Sequence, residues 1–216
     1  MNKVYVVGGG PSLMGIDMRV LTSTTTIAVN KAAFYLANPS YFITMDYTAL
    51  KKLDVSKLKS LNCPRFFILN FAEQYIQVRN GAVVDIRTNL VYSDIYDCFD
   101  SIVLSRFNRG IGKSLRDFRS GSNSGYCALQ LAIALGYTDI YLLGIDLVVN
   151  NGHTHFHNEY NESPFSFAKK LPNYYENFVL GIREIHEKLP LVHVSSCSSL
   201  SPLNTLIPYI ALENTL

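Results

Sequence analysis

The stretch SGSNSGYCALQLAIALGYTDIYLLGID, residues 120–146, decides the architecture. Its opening, Ser120-Gly121-Ser122-Asn123-Ser124-Gly125, is made of turn and helix-capping residues. Tyr126 to Leu135 follow with Ala and Leu at helical spacing, apolar nearly all round, which predicts a buried helix. Gly136 ends it, since glycine takes the left-handed cap conformation without a Cβ penalty. Asp139 to Ile145 then reads as a strand apolar on both faces, the pattern of a central strand in a parallel sheet. A buried helix running by a tight turn into a doubly buried strand is half of the repeating unit of α/β folds.

The rest of the chain repeats that alternation. Lys3 to Val7 is a β-rich run stopping at Gly8, Gly9 and Gly10, after which Pro11 opens a helix-like Ser12-Leu13-Met14. Thr25 to Val29 reads as a strand ending at Asn30, with a short helix over Lys31 to Leu36. Tyr41 to Met45 reads as another, ending at Asp46, and Arg65 to Leu69 as a fourth. From Phe71 to Arg119 the period is poor; Ala82 to Ile86 and Ile102 to Leu104 read as strands of an insertion or a sheet edge. Asn150 to Lys170 reads as a polar loop, Asn173 to Lys188 as helix, Leu191 to Val194 as a last strand and Ser201 to Leu212 as a closing helix. The expectation is one Rossmann-like domain, residues 1–216: a mostly parallel sheet with helices on both faces and a lid at about 147–172.

Composition narrows the function. The chain has 216 residues, 48% hydrophobic and 17% charged, with 19 basic and 17 acidic side chains and a net charge of +2. That balance gives no electrostatic footprint for nucleic acid or an anionic membrane. No apolar run approaches the roughly 18 to 20 residues of a membrane span. Met1-Asn2-Lys3 leads directly into a strand-like run without the pattern of a signal peptide, so the expected compartment is the cytoplasm. Cys63, Cys98, Cys127 and Cys197 are far apart and form no CxxC pair, which predicts free thiols.

Right-handed crossovers gather the strand-to-helix turns on one rim, where open α/β sheets bind ligands. The candidates there are Gly8, Gly9, Gly10 and Ser12, Asn30, Asp46, Ser122, Asn123, Ser124 and Gly125, and Asp146. Glycines let a phosphate approach the backbone and the amides of the next helix. Gly8 to Ser12 is neither the GxGxxG dinucleotide signature nor a Walker loop, and the same glycines also suit a tight turn needed for packing alone. Ser and Asn cap helices routinely, but one cap needs one residue and this segment offers three beside glycines. Carboxylates past buried strands bind ribose hydroxyls or a metal, and equally cap turns. His153, His155 and His157 alternate in the 150–170 loop; in an extended strand they would share a face. No fixed carboxylate accompanies them, so acid–base work by His155 or His153 is preferred over a metal site. His186 and His193, in a helix and a strand, read as structural.

Gly8-Gly9-Gly10-Pro11-Ser12-Leu13 and, above all, Ser124-Gly125 through Leu129 to Asp146 resemble the bacterial lipooligosaccharide sialyltransferases. They are also similar to a broader Rossmann-like group related to archaeal 6-hydroxymethylpterin diphosphokinase. The order of landmarks matches over nearly the whole chain, through Ser195 to Ile210. The resemblance implies a CMP-sugar site made by the glycine turn, Asn30 and Ser122 to Gly125, with CMP-sialic acid as donor, no metal, and a lid histidine that deprotonates the acceptor. Three departures stand out. Gly9 replaces an asparagine, Val148 and Val149 stand where tyrosines hold the leaving phosphate, and Asn173 or Tyr174 falls where the family has its histidine.

The expectation is therefore a glycosyltransferase-like enzyme using a nucleotide-activated sugar, CMP-sugar favoured, and a glycan or small-molecule acceptor in surface glycan assembly. No cofactor is expected for it. Two alternatives have other requirements: ATP-dependent pyrophosphoryl transfer to a small alcohol, which would use Mg²⁺ with Asp46 and Asp146, and nucleotide binding without catalysis.

Overall fold

A computed structural model of the chain describes residues 2–46, 55–70, 76–79, 82–85, 90–91, 98–157 and 163–216. The strands are β1 (Lys3–Val7), β2 (Thr26–Val29), β3 (Tyr41–Thr44), β4 (Arg65–Asn70), β5 (Ile76–Arg79), β6 (Ala82–Asp85), β7 (Leu90–Val91), β8 (Ser101–Phe107), β9 (Phe118–Arg119), β10 (Asp139–Leu143) and β11 (His193–Ser196). Among the described residues the α-helices are α1 (Val55–Ser60), α2 (Ser124–Ala134) and α3 (Pro164–Lys188). Eight strands form one sheet in the order β11-β10-β1-β2-β3-β4-β8-β9, and every pair in it is parallel. β5, β6 and β7 make a separate antiparallel sheet. The expected Rossmann-like α/β domain is the fold observed, with β10, β1, β2 and β3 as neighbouring strands.

Alternation along the strands divides the core. Val4, Val6, Ile27, Ile43 and Ile140 turn to one face, where α2 and α3 cover them. Tyr5, Val7, Ala28, Phe42 and Leu143 turn to the other, under the 3₁₀ turns after β1 and β2 and under α1. Tyr5 and Tyr141 are partners across the β1–β10 pair and stack with ring centroids 5.2 Å apart. α2 is buried nearly all round, from Tyr126 through Ile133, because it lies between the sheet and α3. Its Gln130 grips the backbone of Gly112 at both N–H and C=O, and Tyr126 Oη donates to Gly110 O. These buried polar groups are therefore satisfied, which buried side chains in a well-packed core require.

Several elements differ from the sequence reading. The 150–170 segment is not one loop: α3 begins at Pro164, capped by the Ser163 hydroxyl, and runs through Pro172. Residues 158–162 of the expected lid lie outside the described residues, as does Ile86 of the predicted strand. Ser201 to Leu212 is not a helix but a 3₁₀ turn, Pro202–Thr205, with Pro208 preventing its extension and a second turn at Leu212–Asn214. The last strand is shifted to His193–Ser196, and the helix-like Ser12 to Met14 is a 3₁₀ turn over Pro11–Leu13. All four cysteines are free; Cys98, Cys127 and Cys197 are buried and Cys63 partly so. Among the described residues no helix is long and apolar enough to cross a membrane.

Candidate active site

The sheet reverses its order of construction between β1 and β10. From β1 the chain adds strands outward to β9, then α2 returns it to the other side of β1. The carboxyl ends of β1 and β10 thus stand side by side at the switch point, the usual ligand crevice of open α/β sheets. Here the two turns are stitched together. Gly8 N donates to Leu143 O and Gly10 N to Gly144 O, both at 2.8 Å. Asp146, only 2% exposed, accepts from Ser12 N at 2.6 Å and from Ser12 Oγ at 2.7 Å. A β-carbon on Gly10 would collide with that carboxylate, so glycine is required for the approach. Asp146 is thereby committed to holding the glycine turn.

The Ser122 to Gly125 group also divides by task. Asn123 Oδ1 accepts from Tyr126 N at 2.8 Å and is the N-cap of α2. Ser124 Oγ accepts from Met45 N at 3.1 Å and so closes the end of β3. Gly125 packs on Ile145. Ser122 is left half-buried with φ of 57°. Asp46 is exposed at the same rim, its own N–H donating to Thr44 Oγ1.

Backbone strain gathers on this edge. Among the described residues Asn30 (φ 52°), Ser122 (φ 57°), Leu147 (φ 51°) and Asn151 (φ 49°) are the non-glycine residues in the left-handed region. Three of them follow β2, precede α2 or follow β10, and such strain persists where surrounding structure over-determines it, commonly at binding sites. Asn30 Oδ1 is also buried without a hydrogen-bond partner. A buried acceptor left unsatisfied costs about 1–3 kcal/mol, which a ligand donor recovers.

The histidine segment folds down onto the glycine turn. Phe156 N donates to Gly9 O at 2.9 Å. A β-carbon on Gly9 would lie 2.9 Å from His155 Cδ2 and 3.8 Å from His157 Nε2, so the imidazoles occupy the space above this glycine. The expected direct approach of a phosphate to the Gly9 backbone is therefore taken by rings. The segment is irregular rather than extended, and this breaks the predicted common face. His155 and His157 come together with centroids 5.5 Å apart, while His153 sits exposed on the hairpin that pairs Asn150 with His153. His155 packs against Phe167 of α3, and its Nδ1 is hydrogen-bonded to Thr154 Oγ1 at 2.9 Å. Burial, with help from the nearby His157 and Lys31, lowers its pKa from 6.5 to about 4. The ring is neutral at physiological pH. His186 and His193 lie away from this group, in α3 and at the start of β11.

Lys31 escaped the sequence reading. It is 5% exposed in the 3₁₀ turn Asn30–Tyr35, next to a rim residue that was singled out. A lysine directly before the apolar Ala32-Ala33-Phe34 and just past the strand ending at Val29 was the available signal. Among the described residues no group of three or more His, Cys, Asp or Glu is placed to hold a metal ion.

The fold is that of a Rossmann-like domain shared with solved glycosyltransferases. The monofunctional α-2,3-sialyltransferase Cst-I of Campylobacter jejuni aligns over 100% of this chain and 83% of its own, with TM-score 0.54 and 18% identity. The sialyltransferase CstII of the same organism, in complex with cytidine-5'-monophosphate, aligns over 97% and 85%, with TM-score 0.53 and 21% identity. The MAf glycosyltransferase of Magnetospirillum magneticum aligns over 91% of this chain and 32% of its own, with TM-score 0.50 and 21% identity. At these identities the likeness is one of fold. No protein-family model and no curated protein matches the sequence.

Proposed function

We propose that the protein transfers a sugar from a CMP-activated donor to a hydroxyl of a glycan or small-molecule acceptor, in surface glycan assembly. The observation that carries this reading is the neutral, half-buried His155 held over the glycine turn at the switch point, on the sheet edge that also carries the unsatisfied Asn30 Oδ1. The crystal structures of CstII with CMP and with CMP-3FNeuAc support the donor class, since the fold is shared over 97% of this chain. Asn30 Oδ1 supplies an acceptor for a nucleoside hydroxyl or amino group. His155 Nδ1 is tied to Thr154, so proton transfer runs through Nε2.

In the reaction Nε2 takes the proton of the acceptor hydroxyl, and the oxygen's electron pair forms the bond to the anomeric carbon. The bond from that carbon to the phosphate oxygen breaks, and CMP leaves with the electron pair. His155 replaces, from an earlier part of the chain, the histidine that the sialyltransferases place where Asn173 or Tyr174 stands here.

A thermal-shift panel of CMP, CMP-sialic acid, UDP, GDP and ATP, each with and without Mg²⁺, tests the reading. A ligand that binds only the folded state raises the melting temperature, by about 2.7 kcal/mol of stabilisation at a hundredfold excess over Kd. The expected result is stabilisation by CMP and CMP-sialic acid irrespective of Mg²⁺, and slow donor hydrolysis that His155→Gln abolishes. Stabilisation by ATP with Mg²⁺ alone would overturn it in favour of pyrophosphoryl transfer. Binding of CMP-sialic acid with no turnover on any acceptor would leave a nucleotide-binding protein.

A further inference from the structure

Beside the glycine turn lies a cleft that no step of the transfer uses. Three segments wall it: the 3₁₀ turns that follow β1, the 3₁₀ turn that follows β2, and Phe156 of the histidine segment. Leu13, Met14, Met18, Phe34, Tyr35 and Phe156 line a space of about 670 Å³, within the ordinary range of small-molecule sites. Met14 is 51% exposed and Tyr35 40%, so the apolar wall is open to solvent, as the walls of ligand grooves are. The charged residues on it, Asp17 and Arg19, satisfy one another. Arg19 Nε donates to both carboxylate oxygens at 2.9 Å, and Nη2 donates to Oδ2 at 2.6 Å. Their charges call for no counter-ion, and the recognition this cleft offers is burial of apolar surface.

The aromatic rings of the wall are engaged with their neighbours. Phe156 is edge-on to Tyr35 at 4.8 Å, and Tyr35 stacks on His157 at 5.6 Å and 10°. The wall is otherwise mainly aliphatic, and its two methionines carry unbranched thioethers that adapt to a flexible chain. The cleft adjoins the candidate site through the backbone. Phe156 N donates to Gly9 O, and the residue before it is His155. Phe156 packs with the core under the 3₁₀ turns, whereas His155 packs against Phe167 of α3. Cleft and base thus lie on two sides of one segment, and a molecule that reaches both crosses it there.

We infer that this cleft seats a linear alkyl chain, the aglycone of an acceptor whose sugar hydroxyl meets His155. The cleft is assigned from its own walls; only the bearer of the alkyl chain rests on the proposed glycosyl transfer. A bare oligosaccharide would bury hydroxyls here against a wall with few groups to hydrogen-bond them. An alkyl chain loses nothing of that kind, and each methylene it seats raises affinity about three- to fourfold.

The protein has four methionines, Met1, Met14, Met18 and Met45. Met14 and Met18 line the cleft, while Met45 packs with the core on the other face of the sheet, its Sδ 3.6 Å from Cys127 Sγ. NMR of the full chain labelled with ¹³C at the methionine methyls therefore reads occupancy at the site, with Met14→Leu and Met18→Leu assigning the signals. Methyl, butyl and hexyl β-D-galactosides are the probes, the sugar serving as a soluble handle, with phenyl β-D-galactoside beside them. Hexyl galactoside is expected to shift the Met14 and Met18 methyls, to leave Met45 in place, and to bind about tenfold tighter than butyl. Phenyl is expected to bind more weakly than hexyl. Met14→Glu is expected to remove the dependence on length, and Ala37→Trp, filling the cleft from an exposed position on its wall, to do the same. Unmoved Met14 and Met18 methyls, equal affinity for butyl and hexyl, or tighter binding of phenyl overturns the seat, and none of these depends on Met14→Glu or Ala37→Trp folding. Length-dependent binding by a protein that does not bind CMP leaves the seat standing and removes the nucleotide-sugar reading. CMP binding with Met14 and Met18 unmoved by hexyl galactoside does the reverse.

Discussion

Asp146 sits just past a buried central strand, a position from which carboxylates often reach a ribose or a metal. Its two oxygens instead hold Ser12 by backbone and hydroxyl, in a pocket that leaves it 2% exposed. Charge-assisted hydrogen bonds of this kind contribute about 1.5–3 kcal/mol. Asp146→Ala is therefore expected to lower the urea unfolding free energy by about 2–3 kcal/mol, with Asp146→Asn losing less because Ser12 N keeps an acceptor. A ligand contact would behave oppositely, with weaker CMP binding at unchanged stability. The sequence marked Asp146 as a rim residue correctly and was silent on its task. The partner, Ser12, is 134 positions away, and no local pattern reports such a contact. A similar separation hid the meeting of Gly9 with the histidine segment, although each stood plainly in its own stretch.

The elements most legible in the sequence were those whose environment is uniform along their length. α2 and β10 are buried on all sides, so apolar runs ending in glycine described them almost completely. α3 was legible only from Asn173, because Pro172 is a helix breaker and residues 164–176 carry no buried side chain. Its apolar face begins at Asn177 and Phe178 and continues through Gly181, Ile182 and Ile185 against the core. The first half thus projects from the body, with Phe165 71% exposed, and touches the site through Phe167 and His155. Sparse packing predicts low local stability. In hydrogen exchange, the amides of 166–171 are expected to exchange at least about a hundredfold faster than those of 178–186. CMP is expected to slow the former specifically, because Phe167 lies on the ring that faces the ligand. Equal protection in both halves, with or without CMP, would show that the projecting half is as firmly held as the rest.

At the scale of the molecule the parallel order followed from strand-to-helix alternation, since short right-handed crossovers leave few ways to connect such elements. The rim followed with it, because parallel strands end together. Sequence could not show that the histidine segment folds back to cap that rim, since nothing in its polar composition fixes where it lies. The cap ties the protein's stability to pH through His155. In the folded state burial, His157 and Lys31 hold its pKa near 4, against an ordinary 6.5 once the chain unfolds. Between those values the unfolded chain binds a proton that the folded one refuses, so acid favours unfolding. This contribution is complete above about pH 6.5 and is lost progressively as pH falls toward 4. Its full size is on the order of 3 kcal/mol, limited by the cost of peeling the segment from the glycine turn while the sheet stays intact. Urea unfolding of the wild-type protein and His155→Gln across this range isolates the contribution. The wild-type curve is expected to fall more steeply toward acid than the variant, by about 2–3 kcal/mol over the whole interval. Parallel curves would mean that His155 titrates alike in both states and is not buried over Gly9.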